Sequence, residues 1–188
     1  MMKFIAVIVL LITSLLTSCV VAVVAGAAAG VVVYDRRSVV SLESDARIFH
    51  VISRKIANDR RFRGSRISIV SFNQVVLLIG QTPTASLRVV AEQYAQNTPA
   101  VRRVYDEISI EPALSISKQT QDIWITGQIR SYMLGRKGLE SGSIRVVTEN
   151  SVVYLMGIAT HEQANLAVSV ARQVPGVQKV VKVFQYLT

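Results

Sequence analysis

A duplicated octapeptide constrains this chain more than any other feature. Asn150-Ser-Val-Val-Tyr-Leu-Met-Gly157 repeats the pattern of Asn73-Gln-Val-Val-Leu-Leu-Ile-Gly80, which starts 77 residues earlier. Each copy has a turn-forming Asn, an apolar strand, and a Gly expected where the strand stops. A fixed internal period dictates architecture before any local signal is weighed. Upstream, the same spacing pairs Asp45 with Asp122, Ile48 with Ile125, Ile52 with Ile129 and Ile67 with Ile144. After the Gly the spacing falls to 76, pairing Ala91 with Ala167, Ala95 with Ala171, Pro99 with Pro175, Val101 with Val177 and Val104 with Val180. The chain from residue 43 onward therefore reads as two copies of one small unit. Units this size bury modest cores and are expected to lean on each other.

The local signals give each copy the order α-β-β-α-β, an α+β fold. In the first, Ile48, Val51, Ile52 and Ile56 recur at helical spacing between Ser44 and Asn58. Arg66 to Phe72 alternates as a strand, Asn73-Gln74 turns the chain, and Val75 to Ile79 completes a hairpin. Thr82-Pro83 reads as a helix cap with proline in the first turn. That helix runs to Asn97 with Leu87, Val90, Ala91 and Tyr94 inward; Pro99 ends it, and Val101 to Ile110 is the closing strand. Glu111 to Lys118 reads as a linker. The second copy follows with a helix from Thr120 to Leu134, a hairpin from Ile144 to Met156, a capping-box signature at Thr160-His-Glu-Gln163 and a last strand from Val177 to Leu187.

The N-terminal stretch has the layout of a secretory signal: Met-Met-Lys, an apolar run from Phe4 to Leu16, then Leu16-Thr-Ser-Cys19. Leu-Thr-Ser-Cys resembles the lipobox of bacterial lipoproteins. That resemblance implies cleavage before Cys19 and acylation of its thiol and new amino group. Cys19 is the only cysteine, so no intrachain disulfide can form. The rival is a plain transmembrane anchor, since Val20 to Val33 is also apolar, but Gly26, Gly30 and Ala27-Ala28-Ala29 make it a weak span. The resulting division is 1–18 signal peptide, 19–42 lipidated N-terminus and tether, 43–112 first unit and 113–188 second unit.

The formal charge is +9, and Lys3 is the only charge in the first 34 residues. The remainder is still basic, which points to an anionic partner. Its densest run, Arg60-Arg61-Phe62-Arg63, reads first as a solvated loop. Catalytic signals are missing. The two histidines, His50 and His161, lie on different copies, outside any metal-ligand spacing. No nucleophile elbow, carboxylate pair or phosphate loop is present. The expectation is a protein that is not an enzyme and needs no cofactor or metal, and export leaves no nucleic acid as partner.

Two such units behind a lipobox resemble tandem BON domains. Asp122-Ile-Trp-Ile-Thr126, Val147-Thr-Glu-Asn150 and Leu155-Met-Gly157, with Asp35-Arg-Arg-Ser38 and Leu77-Leu-Ile-Gly-Gln81, resemble the dual BON-domain outer-membrane lipoproteins. The resemblance implies two helices on one face of a small mixed sheet in each domain. It implies an outer-membrane lipoprotein, lipid-anchored and facing the periplasm, that binds anionic phospholipid. It also implies support of envelope integrity, with links to the division site and the barrel-assembly machinery. A protein-binding adaptor of the envelope is the alternative.

The copies differ on one face. At 100° per residue, Trp124 lies about 125° from the stripe Ile125, Ile129, Tyr132 and Met133, and Ile123, Gly127 and Leu134 share that outward side with Arg130 at its edge. The first copy has Ala46, Arg47, His50, Ala57 and Ser53 in the places of Ile123, Trp124, Gly127, Leu134 and Arg130. An indole beside a cation suits a headgroup-level contact. The rival reading packs Trp124 against the first domain. Gly80 and Gly157 complete the candidate residues, in a structural role.

Overall fold

Helices begin here where a hydroxyl can accept the N–H groups that lack intrahelical partners. Ser38 accepts from the Ser41 N–H (3.1 Å) and starts α1, Val39–Asn58. The structure, a computed structural model, describes residues 37–187. Cys19, the signal stretch and residues 20–36 of the tether lie outside the described residues. The helix starts earlier than Ser44, the expected position. Its first turn carries the exposed Val39 and Val40, so no inward apolar stripe marks it.

The chain continues through β1 (Arg66–Phe72), β2 (Val75–Thr82), α2 (Ala85–Gln96) and β3 (Arg103–Ile110). The second unit repeats this with α3 (Ile116–Leu134), β4 (Ile144–Glu149), β5 (Val152–Ala159), α4 (His161–Arg172) and β6 (Lys179–Tyr186). In each sheet the hairpin strands are antiparallel and the last strand pairs in parallel with the middle one, in the orders β1-β2-β3 and β4-β5-β6. This is the α-β-β-α-β order and mixed three-stranded sheet expected of each copy.

Two further helix starts differ from the sequence reading, and β3 and β6 begin two residues later than Val101 and Val177. Thr82 is a buried strand residue whose hydroxyl lies 3.1 Å from that of Ser65; Thr84 caps α2 through the Leu87 N–H. Likewise α3 starts at Ile116, where Ser115 accepts from the Lys118 N–H (3.3 Å). Its first turn lies within the supposed linker because Lys118 and Gln119 carry no apolar periodicity. The capping box of α4 forms as expected, with Gln163 N–H to the Thr160 hydroxyl (3.2 Å) and Thr160 N–H to the Gln163 side chain (3.3 Å).

The middle strands explain the arrangement of layers. Every residue of β2 is buried, which requires cover on both faces. Val76 and Leu78 meet Ile48 and Ile52 of α1 and Ala91 and Ala95 of α2. In the second unit Val153 and Leu155 meet Ile125, Ile129 and Met133 of α3 and Ala167 and Ala171 of α4. The opposite faces join in a third core, where Phe72, Val75, Leu77 and Ile79 pack with Tyr154, Met156 and Val183. The domains therefore lean on each other sheet to sheet, with their helices outside. The described residues of both domains, 37–187, belong to one compact body.

Polar contacts border this interface. Gln81 donates to Glu149 (2.6 Å) and accepts the Leu114 N–H (3.2 Å), so one side chain ties the first sheet to the second domain and to the linker. Arg66 also donates to Glu149, and Asn73 donates to Gln185 (2.7 Å). Burial, with the carboxylates of Glu107 and Glu149 nearby, pushes the Tyr154 phenol up to about 12.

The repeated aspartates hold the hairpins. Asp122 accepts the N–H groups of Asn150 (2.8 Å) and Ser151 (2.9 Å), and Asp45 those of Asn73 (2.7 Å) and Gln74 (2.8 Å). All four turn residues have left-handed φ, between 49° and 66°, a conformation costing non-glycine residues about 1–2 kcal/mol each. The carboxylates offset that cost by taking donors that face inward. Gly80 and Gly157 lie inside β2 and β5, which run on to Thr82 and Ala159. A Cβ on either would fall on a backbone carbonyl, that of Arg66 or Ser143. They permit close approach of chains within the sheet and do not end the strands.

Candidate functional site

The buried stripe of α3 is Asp122, Ile125, Ile129 and Met133. A helix that satisfies its core with one stripe normally turns polar side chains outward. This one exposes Ile116 (83%), Ile123 (73%), Trp124 (50%), Tyr132 (52%) and Leu134 (51%). Trp124 is absent from all three apolar cores, including the one between the sheets. The rival reading, with the indole packed against the first domain, does not describe this structure.

Tyr132 is a correction. It was expected in the core stripe and is half exposed. The repeat carried the signal: its counterpart is Lys55, a residue that does not belong in a core stripe. Ile116 is the other residue missed, because the helix was taken to start later.

Gly127 faces open space, with nothing within 4 Å of a built Cβ. Arg130 is exposed, and its guanidinium donates to the Val146 carbonyl of β4 (2.9 Å). That bond ties the head group to the sheet edge, and the other donors of its fork make no hydrogen bond among the described residues. Ile123, Gly127 and Arg130 line a groove of about 450 Å³ together with Arg66 and Glu149. Trp124 and Leu134 lie outside it. Three of the five expected residues thus line one groove, and the other two are exposed outside it.

The corresponding face of α1 is polar at its centre. Arg47, in the place of Trp124, pairs with Glu43 (2.8 Å). Ser53, in the place of Arg130, departs from the outward position expected: its hydroxyl is buried without a hydrogen-bond partner among the described residues.

The basic run after α1 divides. Phe62 is buried, and Arg61 is held by Asp59 (2.6 Å). That guanidinium holds the Asp59 carboxyl well below the usual carboxylate range. His161 is the first residue of α4 and stacks on Tyr186 at 3.9 Å. Among the described residues no His, Cys, Asp and Glu cluster could hold a metal ion. No helix among them is long and apolar enough to cross a membrane.

A repeated α-β-β-α-β unit with its helices on one face of each mixed sheet defines the class. The BON domain model matches residues 44–112 and 121–188. The chain is 34% identical over 157 residues to "Outer membrane lipoprotein DolP" of Haemophilus influenzae, covering 83% of this chain and 81% of that one. It is 34% identical over 154 residues to "21 kDa hemolysin" of Actinobacillus pleuropneumoniae, covering 81% of this chain and 79% of that one. Among solved structures, CdsD, a structural protein of the type III secretion system of Chlamydia trachomatis, aligns with a TM-score of 0.32 at 14% identity, over 78% of this chain and 92% of that one. A superposition that loose bears on nothing further.

The chain belongs to the dual BON-domain family of outer-membrane lipoproteins. That family is non-enzymatic and sits at the outer membrane.

Proposed function

We propose that this protein is a lipid-anchored, periplasm-facing component of the outer membrane whose second BON domain touches anionic phospholipid through the outer face of α3. Cys19 would carry the acyl chains, and two or more chains hold a protein firmly at a bilayer. The observation that carries the reading is the exposure of Trp124 with Ile123 and Leu134 on a helix that already has a complete buried stripe. Trp124, Ile123 and Leu134 would enter the interface, while Gly127 leaves a hollow beside Arg130 for a phosphate. Burying these partly exposed side chains adds a few kcal/mol at about 25 cal/mol per Å², enough to orient a protein that its anchor already holds. Support of envelope integrity, at the division site and alongside the barrel-assembly machinery, rests on the family resemblance.

The test is flotation of Tyr34–Thr188, the compact body without its anchor, with vesicles containing phosphatidylglycerol. The parent should float, and Trp124→Ala and Arg130→Ala should each reduce the floating fraction. A parent that does not float would assign the protein to the adaptor reading.

A further inference from the structure

The second helices of the two units differ as sharply as the first. In the first domain β3 is an outer strand, and the domain covers it. Arg88 of α2 donates to the Asp106 side chain (2.8 Å) and to the Asp106 carbonyl (2.9 Å). Asp106 in turn accepts the Ile108 N–H (3.1 Å). Nearby, Glu92 accepts from Gln96 (2.8 Å). This edge is neutralised and its backbone capped by its own side chains, one way proteins keep outer strands from pairing.

The repeat spacing of 76 places Ala164 where Arg88 stands, Lys182 where Asp106 stands, Val168 where Glu92 stands and Arg172 where Gln96 stands. Both members of the capping pair are gone, and both acids are replaced, one by a cation and one by an apolar residue. Among the described residues Arg172, Lys179 and Lys182 make no ion pair or side-chain hydrogen bond. Between α4 and the outer strand β6 an open groove of about 510 Å³ takes the place of the Arg88 bridge, lined by Asn165, Val168, Ser169, Arg172, Val180 and Lys182. A second hollow continues it past Lys179.

We propose that the β6 edge of the second domain receives an extended acidic polypeptide segment by strand addition. The segment would supply what Arg88 and Asp106 supply in the first domain: partners for the outer backbone groups around Lys182 and Phe184. Alternate side chains of an added strand point to one face. Its carboxylates face the groove, where Lys182 and Arg172 lie, and its apolar positions fall on the other face, the side of Val181 and Val183. The edge repels a second copy of itself, because like charges would face each other across the new pair. The site is separate from the α3 face: α3 packs on β4 and α4 on β6, at opposite edges of the sheet.

The test uses ¹⁵N-labelled Tyr34–Thr188 and an acetylated Glu-Val-Glu-Val-Glu-Val peptide, with Lys-Val-Lys-Val-Lys-Val as control. Binding is read by ¹⁵N amide shifts up to about millimolar peptide, the affinity range of one short strand. The acidic peptide should shift β6 amides near Phe184 and weaken with salt, and the basic one should not bind. Lys182→Gln, at an exposed site where folding is undisturbed, should weaken binding about threefold or more. Lys182→Asp, which puts a carboxylate in place of the cation at the same exposed site, should abolish it; Trp124→Ala should leave it unchanged. The proposal is overturned if both peptides bind alike, if neither binds, or if Lys182→Gln has no effect. It is overturned equally if Lys182→Gln weakens binding to phosphatidylglycerol vesicles while the acidic peptide does not bind, because the groove would then face lipid.

Discussion

Replacing Asp122 with alanine removes the carboxylate that holds the β4–β5 turn. In the structure this side chain is buried and accepts two N–H groups, from Asn150 at 2.8 Å and Ser151 at 2.9 Å. Ser151 is itself buried, so water replaces the carboxylate poorly. A buried donor left without a partner costs about 1–3 kcal/mol, so two cost about 3 kcal/mol when one is partly hydrated. That is a large share of the roughly 5–15 kcal/mol that holds a domain folded. Asp122→Asn keeps one acceptor oxygen and should cost about half as much. The assay is urea unfolding of Tyr34–Thr188 followed by far-UV circular dichroism. With a slope of about 1–3 kcal/mol per molar, the alanine variant should unfold at a midpoint about 1–3 M lower. A loss below about 0.5 kcal/mol would refute the claim that the aspartate sustains a turn of left-handed, non-glycine residues.

Gly127→Ala should raise stability by about 1 kcal/mol, since alanine is the better helix former and its Cβ meets open space; thermal melting should rise by a few degrees. If the hollow at Gly127 seats a headgroup, the same variant should bind phosphatidylglycerol vesicles less well despite its added stability. Tyr154 gives a pH signature. Its phenol is pushed from 10.0 up to about 12, so the folded state favours the neutral form. That contribution is complete below pH 10 and is lost as pH rises toward 12, about 2–3 kcal/mol in all at 1.36 kcal/mol per unit. Tyr154→Phe should lack this alkaline loss in unfolding measured from pH 9 to 12.

The repeat made much of this fold legible. Asp45 and Asp122 stood out as paired positions, and the octapeptide located both middle strands. The use of their second faces was not legible. Val75, Leu77 and Ile79 read as apolar wherever they pack, and nothing local shows that the cover is another sheet. The starts of α1 and α3 were hidden because their first turns expose Val39, Val40 and Ile116. Gly80 and Gly157 looked like strand ends because their reason lies across the sheet, in a neighbouring carbonyl. At the candidate site, periodicity placed Ile123, Trp124, Gly127 and Leu134 outward correctly. It misjudged Tyr132, which has the hydropathy of a core residue and only the Lys55 counterpart to warn against it. The charge reversal at Lys182 was visible in the alignment of copies, but its meaning needed the Arg88–Asp106 bridge.

Trp124 is the only tryptophan in the chain, so its fluorescence reports the proposed contact without labelling. Tyr34–Thr188 should be titrated with vesicles of phosphatidylglycerol, with phosphatidylcholine vesicles as reference. The account predicts a blue shift with the anionic vesicles and quenching by brominated acyl chains. Emission that stays at its free value while the protein co-sediments with those vesicles would contradict it, because the protein would then meet the bilayer with some other surface.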